Sequence, residues 1–305
     1  MPDPLKKTIS ATEAPALWNV SPYVTRWMLW QAFANAVDLN KGADGRMSWG
    51  LKMQPLVLEQ AAEELRLEVR PNEGDVYHRR GLLGCTRDAT IICPDRGPGA
   101  LETKCVFDYG TWMREWDGGT RVPRHYEIQL QQQMLVGDEN PYEWGVIAAW
   151  VGGEQHYFER KPIPDLWEKL NTDAAAFFKS VEVKDEPEPF GAVIEIPWLT
   201  ELLPTIEGNP LDLSGEPSAE ALSNDASMFN YHQEQESGHK KAREALRAKF
   251  LAVGKDHDEI RLPFGANIRI STTKGAAPQK RLKVYVPETP GAGAPRNNND
   301  VLAAG

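Results

Sequence analysis

Residues 84–105 read GCTRDATIICPDRGPGALETKC, and the fold turns on how this stretch is read. Two apolar, β-branched segments, Ala89-Thr90-Ile91-Ile92-Cys93 and Ala100-Leu101 running on to Cys105-Val106-Phe107, flank Pro94-Asp95-Arg96-Gly97-Pro98-Gly99. Proline and glycine at that density stop a strand and make a turn, so the stretch predicts an antiparallel hairpin. Folding it about Arg96-Gly97 sets Asp88 level with Lys104 and Cys105, one pleat from Glu102. Glu102 and Lys104 are two apart on a strand and leave the same face. The expectation is two carboxylates and an ammonium converging at one sheet edge.

That trio has a chemical use. Carboxylate oxygens are hard ligands that suit Mg²⁺ or Mn²⁺ with waters left in place. A divalent ion so held can activate water and stabilise charge on a phosphoryl oxygen. A neighbouring lysine can orient or deprotonate that water, or hold the phosphate. The competing reading of the same short D…ExK pattern is a surface ion pair on a hairpin.

Working outward, the 305 residues are 41% hydrophobic and 26% charged, which suits one large globular domain with a smaller one. The net charge of -10 and pI near 5.2 exclude a global basic field. Nucleic acid stays open as a ligand, because metal ions and a local basic stripe can still hold phosphates. Cys85, Cys93 and Cys105 have no CxxC spacing and read as reduced thiols packed in strands of a cytosolic protein. The first residues lack an apolar signal region, and no run approaches a membrane span, so a cytoplasmic protein with no membrane partner is expected.

Ser10 and Glu13 have capping-box spacing and open a short helix to Trp18. Ser21 can cap a second helix, with Pro22 at its first position, running to about Val37. A third, over residues 49–67, turns Leu58, Ala61, Ala62 and Leu65 inward and carries Gln54 on its first turn. Helices are predicted over 109–116, 122–136 and 164–181, and strands over 67–69, 142–151 and 154–160, the last two joined at Gly152-Gly153. The order gives an α/β or α+β class, a mixed central sheet flanked by helices. Gln129, Gln131, Gln132 and Gln133 crowd one helix and, on their own, read as solvated helix residues.

Composition shifts after residue 183. Residues 185–220 read as an acidic, proline-rich linker. Residues 221–287 read as an accessory helix (230–253) followed by a β-hairpin, and 288–305 as a disordered tail. From Arg261 to Lys283 there are six basic residues and no acidic one. This is either a solvated edge hairpin or a basic finger following a DNA backbone through Arg269, Lys274, Lys280 and Arg281.

Several stretches, in order, resemble the phage lambda-type exonuclease or YqaJ-like viral recombinase branch of the PD-(D/E)XK nuclease superfamily. They are Ile9-Ser10-Ala11-Thr12-Glu13, Ala16-Leu17-Trp18-Asn19-Val20-Ser21-Pro22-Tyr23, Trp49-Gly50, Gly84-Cys85-Thr86-Arg87-Asp88-Ala89, Leu101-Glu102-Thr103-Lys104-Cys105, and Tyr126-Glu127-Ile128-Gln129-Leu130-Gln131 through Met134-Leu135-Val136. Together they cover roughly residues 8–182, and the combination is far more specific than any piece.

The resemblance implies a restriction-endonuclease-like core over residues 1–184 and a Mg²⁺- or Mn²⁺-dependent deoxyribonuclease. It implies Asp88 and Glu102 as metal ligands, the Thr103 carbonyl as a third, Lys104 on the attacking water, and Gln129 and Gln131 beside the scissile phosphate. Thr12, Tyr23 and Arg87 would contact DNA. It also implies 5′→3′ digestion of double-stranded DNA ends, a ring trimer, a phage single-strand annealing protein as partner, and a bacterial host cytoplasm. Two departures stand out. Gln54 occupies the place of a metal-binding glutamate in the family, and the family's glycine-eased turn is here Thr86-Arg87-Asp88-Ala89. The rival readings are a RecB- or Cas4-like nuclease of other polarity and a non-catalytic DNA-binding module, the latter suggested by Gln54.

Overall fold

The apolar strand pair at 89–106 becomes the middle of a five-stranded sheet. The structure is a computed structural model that describes residues 8–39, 45–74, 76–234, 240–273 and 279–286. Lys274 and the tail 288–305 lie outside the described residues. Two units are distinguished, Met1–Glu188 and Pro189–Gly305.

The first unit contains β1 (Ile9–Ser10), α1 (Arg26–Asn35), α2 (Gly45–Leu65), β2 (Glu68–Pro71), β3 (His78–Arg80), β4 (Leu83–Cys85), β5 (Ala89–Cys93), β6 (Gly97–Val106), α3 (Tyr109–Glu115), α4 (Arg124–Val136), β7 (Gly145–Val151), β8 (Glu154–Arg160) and α5 (Pro164–Val183). The main sheet has the order β2-β5-β6-β7-β8. Only β6 and β7 run parallel, so the crossover between them carries α3 and α4. Alternation along β6 sends Leu101 to a cluster with Val57, Leu58 and Ala61 of α2. It sends Ala100 and Val106 to the opposite cluster, with Leu130 and Met134 of α4. The result is the mixed sheet between helices that a restriction-endonuclease-like core requires.

Three local expectations are corrected. The strand expected over 82–93 is two strands, because β4 leaves the main sheet to pair with β1 and β3. The hairpin register is shifted. Gly97 adopts φ 73, so the chain turns within Pro94-Asp95-Arg96 and β6 starts at once. Ala89 then faces Leu101, which puts Asp88 level with Glu102 rather than Lys104. Pro98 and Gly99, expected in the turn, are strand residues, and Gly99 leaves the space filled by the Trp144 indole, 2.6 Å from where a Cβ would stand. Lastly, Ser21 does not cap α1. Its hydroxyl accepts from the N–H groups of Tyr23 and Val24, and Thr25 caps the helix by accepting from Met28 N. The Ser10–Glu13 box forms reciprocally and leads into the expected short helix to Trp18, which is of the 3-10 type.

The second unit corrects the linker. Residues 185–220 contain α6 (Ile196–Leu202) and β9 (Ile206–Asp212). Proline and acid suggested a linker there, but the Glu195 carboxylate gathers the N–H groups of Phe190, Gly191 and Ala192 at 3.1, 2.7 and 3.1 Å and starts the helix. The helix expected over 230–253 is two, α7 (Glu220–Glu234) and α8 (Lys240–Gly254). The expected hairpin is part of a four-stranded sheet, β12-β11-β10-β9, from β10 (His257–Arg261), β11 (Asn267–Thr272) and β12 (Lys280–Tyr285), with β9 parallel to β10. Ile260, Ile268, Ile270 and Val284 turn to a buried face with Phe229, Phe250 and Leu251 of the helices.

Candidate active site

Glu102 and Lys104 leave β6 on the side of α4, because β-strand side chains alternate. β6 is central in the sheet, not an edge strand, so both are sheltered. Glu102 is buried, and its Oε1 accepts from Lys104 Nζ and from Gln129 Nε2 (2.6 Å), while Oε2 accepts from Gln133 Nε2 (2.5 Å). The Lys104 ammonium also lies 4.7 Å from the Tyr126 ring centroid. Burial alone would pull the Lys104 pKa down. The charges of Glu102 and Asp88 outweigh it and hold the pKa above its ordinary value, so the group is an ammonium.

Asp88 stands just before β5, across from Glu102. Its Oδ2 accepts from the Thr103 N–H (2.7 Å) and hydroxyl (2.6 Å). Burial first, and then the charge of Glu102, push its carboxyl up to about 7 against the pull of Lys104 and Thr103. Asp88 also lines a cleft of about 340 Å³ with Gln54, Glu59 and Asn72. Gln54 therefore reaches the same cleft as Asp88, as does Glu59 one turn further along α2. The neighbouring His125 ring is kept neutral, its pKa lowered to about 4 by burial and then by Lys104. It packs on Tyr126 at 3.9 Å and edge-on to Tyr23 at 6.0 Å between centroids.

The trio is thus brought together, with two carboxylates and an ammonium in mutual electrostatic contact. The donor chemistry fits a divalent cation. Asp88 ionises reluctantly because it is buried and then because Glu102 is close, and a cation would relieve that repulsion. Among the described residues no group of three or more His, Cys, Asp or Glu side chains is placed to hold a metal ion.

Other predicted residues fall elsewhere. Gln131 does not enter the site. Its amide donates to Lys161 O (2.9 Å) and accepts from Ile163 N (3.0 Å), tying α4 to the chain before α5. Arg87 is not available to DNA. It is buried, donating to Gly137 O (2.7 Å) and paired with Asp138. Lys280 is buried as well and donates to Lys255 O (2.6 Å). Thr12 and Tyr23 are exposed, and so are Arg269 and Arg281. Thr103 meets Asp88 through its two donors. Gln133 and Tyr126 were missed, although their signal was present: Tyr126, Gln129 and Gln133 are spaced i, i+3, i+7 and share a helix face.

A central mixed sheet whose hairpin carries Asp88, Glu102 and Lys104 places the first unit in the restriction-endonuclease-like class. Within it, residues 5–140 match the profile of the YqaJ-like viral recombinase domain family. Among solved structures it is similar to an alkaline exonuclease from Laribacter hongkongensis, at 15% identity and TM-score 0.47, covering 58% of this chain and 89% of that one. A phage related exonuclease from Haemophilus somnus 129PT is similar at 12% identity and TM-score 0.42, covering 55% and 80%. No curated protein matches the sequence.

Proposed function

We propose that the protein is a divalent-metal-dependent DNA exonuclease of phage recombination type, hydrolysing phosphodiester bonds at the ends of double-stranded DNA. The observation that carries this reading is the Glu102–Lys104 pair clamped by Gln129 and Gln133, with Asp88 beside it on Thr103. That arrangement lies inside the stretch that matches the YqaJ-like profile. Asp88 and Glu102 would hold Mg²⁺ or Mn²⁺, with the Thr103 carbonyl as a further oxygen. When bound, such an ion polarises the phosphate and lowers the pKa of water.

The chain's own residues do the rest. Lys104, an ammonium, orients the attacking water and holds a phosphate oxygen rather than taking a proton. Gln129 and Gln133 fix the Glu102 carboxylate, and the Tyr126 ring supports the lysine. Polarity 5′→3′, a ring trimer, an annealing-protein partner and action in a host cytoplasm belong to the same proposal through the family resemblance. Among the described residues no helix is long and apolar enough to cross a membrane.

The reading is tested with linear duplex labelled at either end, incubated with Mg²⁺ or EDTA. Nucleotide release that needs Mg²⁺ and disappears in Asp88→Ala supports it, and the labelled end that shortens first gives polarity. Gln54 favours one second reading, a non-catalytic DNA-binding module, since an amide lines the cleft where a carboxylate would bind metal. Duplex binding that ignores Mg²⁺, with no nucleotide released, would establish that reading instead.

A further inference from the structure

The second unit carries a surface that the proposed chemistry does not use. Its four-stranded sheet is covered on one face by buried side chains packed with helices, and among the described residues the opposite face is bare. Register and alternation define what that bare face presents. Arg269 of β11 lies opposite Lys283 of β12, Ser271 opposite Arg281, and Asn267 opposite Tyr285. Cross-strand partners share a face. Along β12, therefore, Arg281, Lys283 and Tyr285 project from the same side at successive i, i+2 positions, and all three are exposed. Lys280, Leu282 and Val284 take the other side, which is why the Lys280 ammonium is lost from the surface although it is next to Arg281 in sequence.

Charge is graded across this face. On the β9 and β10 side, Asp212 and Glu259 partner Arg261, and Glu259 also accepts from Arg269. Toward β12 the face is basic, with Arg269 74% exposed and Arg281 and Lys283 forming no ion pair among the described residues. Tyr285 is 57% exposed at the end of the row. A tyrosine ring held out in water beside cations has lost the burial that usually stabilises it.

We propose that this face, centred on Arg269, Arg281, Lys283 and Tyr285, binds single-stranded DNA. The spacing of alternate residues on a strand, about 6.8 Å, sets the cations in a line that an extended polynucleotide backbone can follow. The flat sheet offers Tyr285 to the face of an unstacked base. A duplex keeps its bases stacked inside and has no use for that ring. Sheet platforms that combine a basic track with an aromatic side chain are suited to single strands for this reason. The binding surface does not depend on the nuclease reading. A nuclease that digests one strand of a duplex would nevertheless leave the other as such a ligand.

The test uses the full chain carrying Asp88→Ala, in EDTA, so that cleavage plays no part. Fluorescence anisotropy follows a labelled oligothymidylate of about 20 nucleotides, long enough to cover one site. Removing both cations (Arg281→Ser with Lys283→Ser) is expected to weaken binding about tenfold near 0.1 M salt and to flatten the log–log salt slope by about 1.4. Tyr285→Ala is expected to weaken it about fivefold or more, while Tyr285→Phe retains affinity because the ring remains. Arg281→Lys with Lys283→Arg restores the salt slope. Thermal unfolding matching the parent confirms that the exposed substitutions leave the fold intact. The proposal is overturned if the triple variant Arg281→Ser, Lys283→Ser, Tyr285→Ala binds the oligomer within about twofold of the parent, a change smaller than one lost phosphate contact would make. It is also overturned if Tyr285→Ala weakens a blunt duplex as much as the single strand, since the ring would then not be reading an unstacked base.

Discussion

Lys104 and Lys280 invite comparison. Each lies on a β-strand and each is sheltered; from sequence, Lys104 was expected on the attacking water or a phosphate and Lys280 on a DNA backbone. Lys104 faces two carboxylates and is held above its ordinary pKa despite burial. Lys280 faces the carbonyl of Lys255, past the C-terminus of α8, and burial brings its pKa down to about 8, with Asp256 opposing weakly. A neutral carbonyl solvates an ammonium only partly, whereas a carboxylate pair neutralises it. The same side chain is thus held more firmly as an ammonium in one unit and made easier to deprotonate in the other. The difference lies in what the opposite strand and helix bring to it.

The sharpest way to break this comparison is to remove each ammonium. Lys104→Ala is expected to lower Mg²⁺-dependent nucleotide release from linear duplex by about 10³-fold or more, the scale of a lost electrostatic or acid–base group. Lys280→Met should leave the specific activity unchanged. Equal losses in both variants, measured at saturating DNA, would erase the distinction.

A smaller effect is expected next door. Gln133→Ala frees one oxygen of Glu102, and turnover should fall about 10- to 100-fold, the range for groups that orient a ligand. The dissociation constant for duplex DNA should barely move. Gln131→Ala, which loosens only the contact with the chain before α5, should keep its turnover. That pair of results would separate the glutamine that clamps Glu102 from the one that does not.

Asp88 sharpens the electrostatic side. Its folded pKa of about 7 lies above the ordinary carboxylate value, so the folded chain binds the extra proton more tightly than the unfolded one. The associated stability is present at low pH and is lost as pH rises toward 7. In EDTA, Asp88→Asn is therefore expected to melt several degrees above the parent at pH 8, with the gap closing toward pH 4. Adding Mg²⁺ should raise the parent's melting temperature and leave that of Asp88→Asn nearly unchanged. Differential scanning fluorimetry across pH reads both outcomes.

Lys280 gives the smallest shift, with the opposite sign. Its folded pKa of about 8 is depressed, so between there and the unfolded value the unfolded chain holds more protons, and stability rises with pH. The melting temperature of the parent relative to Lys280→Met should improve by a few degrees from pH 7 to pH 10. A flat difference would mean that the ammonium is solvated after all.

Much of the first unit was legible because its signals are local. The turn at Pro94-Asp95-Arg96, the alternation of Glu102 and Lys104, the Gly152-Gly153 hairpin and the proline that opens α5 are each dictated within a few residues. The misreadings share a cause. Arg87 and Lys280 have the composition of surface residues, and only packing against Asp138 and Lys255 hides them. Residues 185–220 have linker composition, yet Glu195 and pairing with β10 order them. The hairpin register depended on one positive φ at Gly97, which several glycines in the stretch could have supplied.

The sequence by itself determined that a β-hairpin would bear Asp88, Glu102 and Lys104, since pleat alternation and turn chemistry act over a handful of bonds. Tertiary structure alone decided that Gln129 and Gln133, not Gln131, would grip Glu102, and that the Lys104 pKa would be raised while that of Lys280 would be lowered. Those outcomes depend on which surfaces meet across long sequence separations, and a buried charge takes its pKa from those neighbours rather than from adjacent residues.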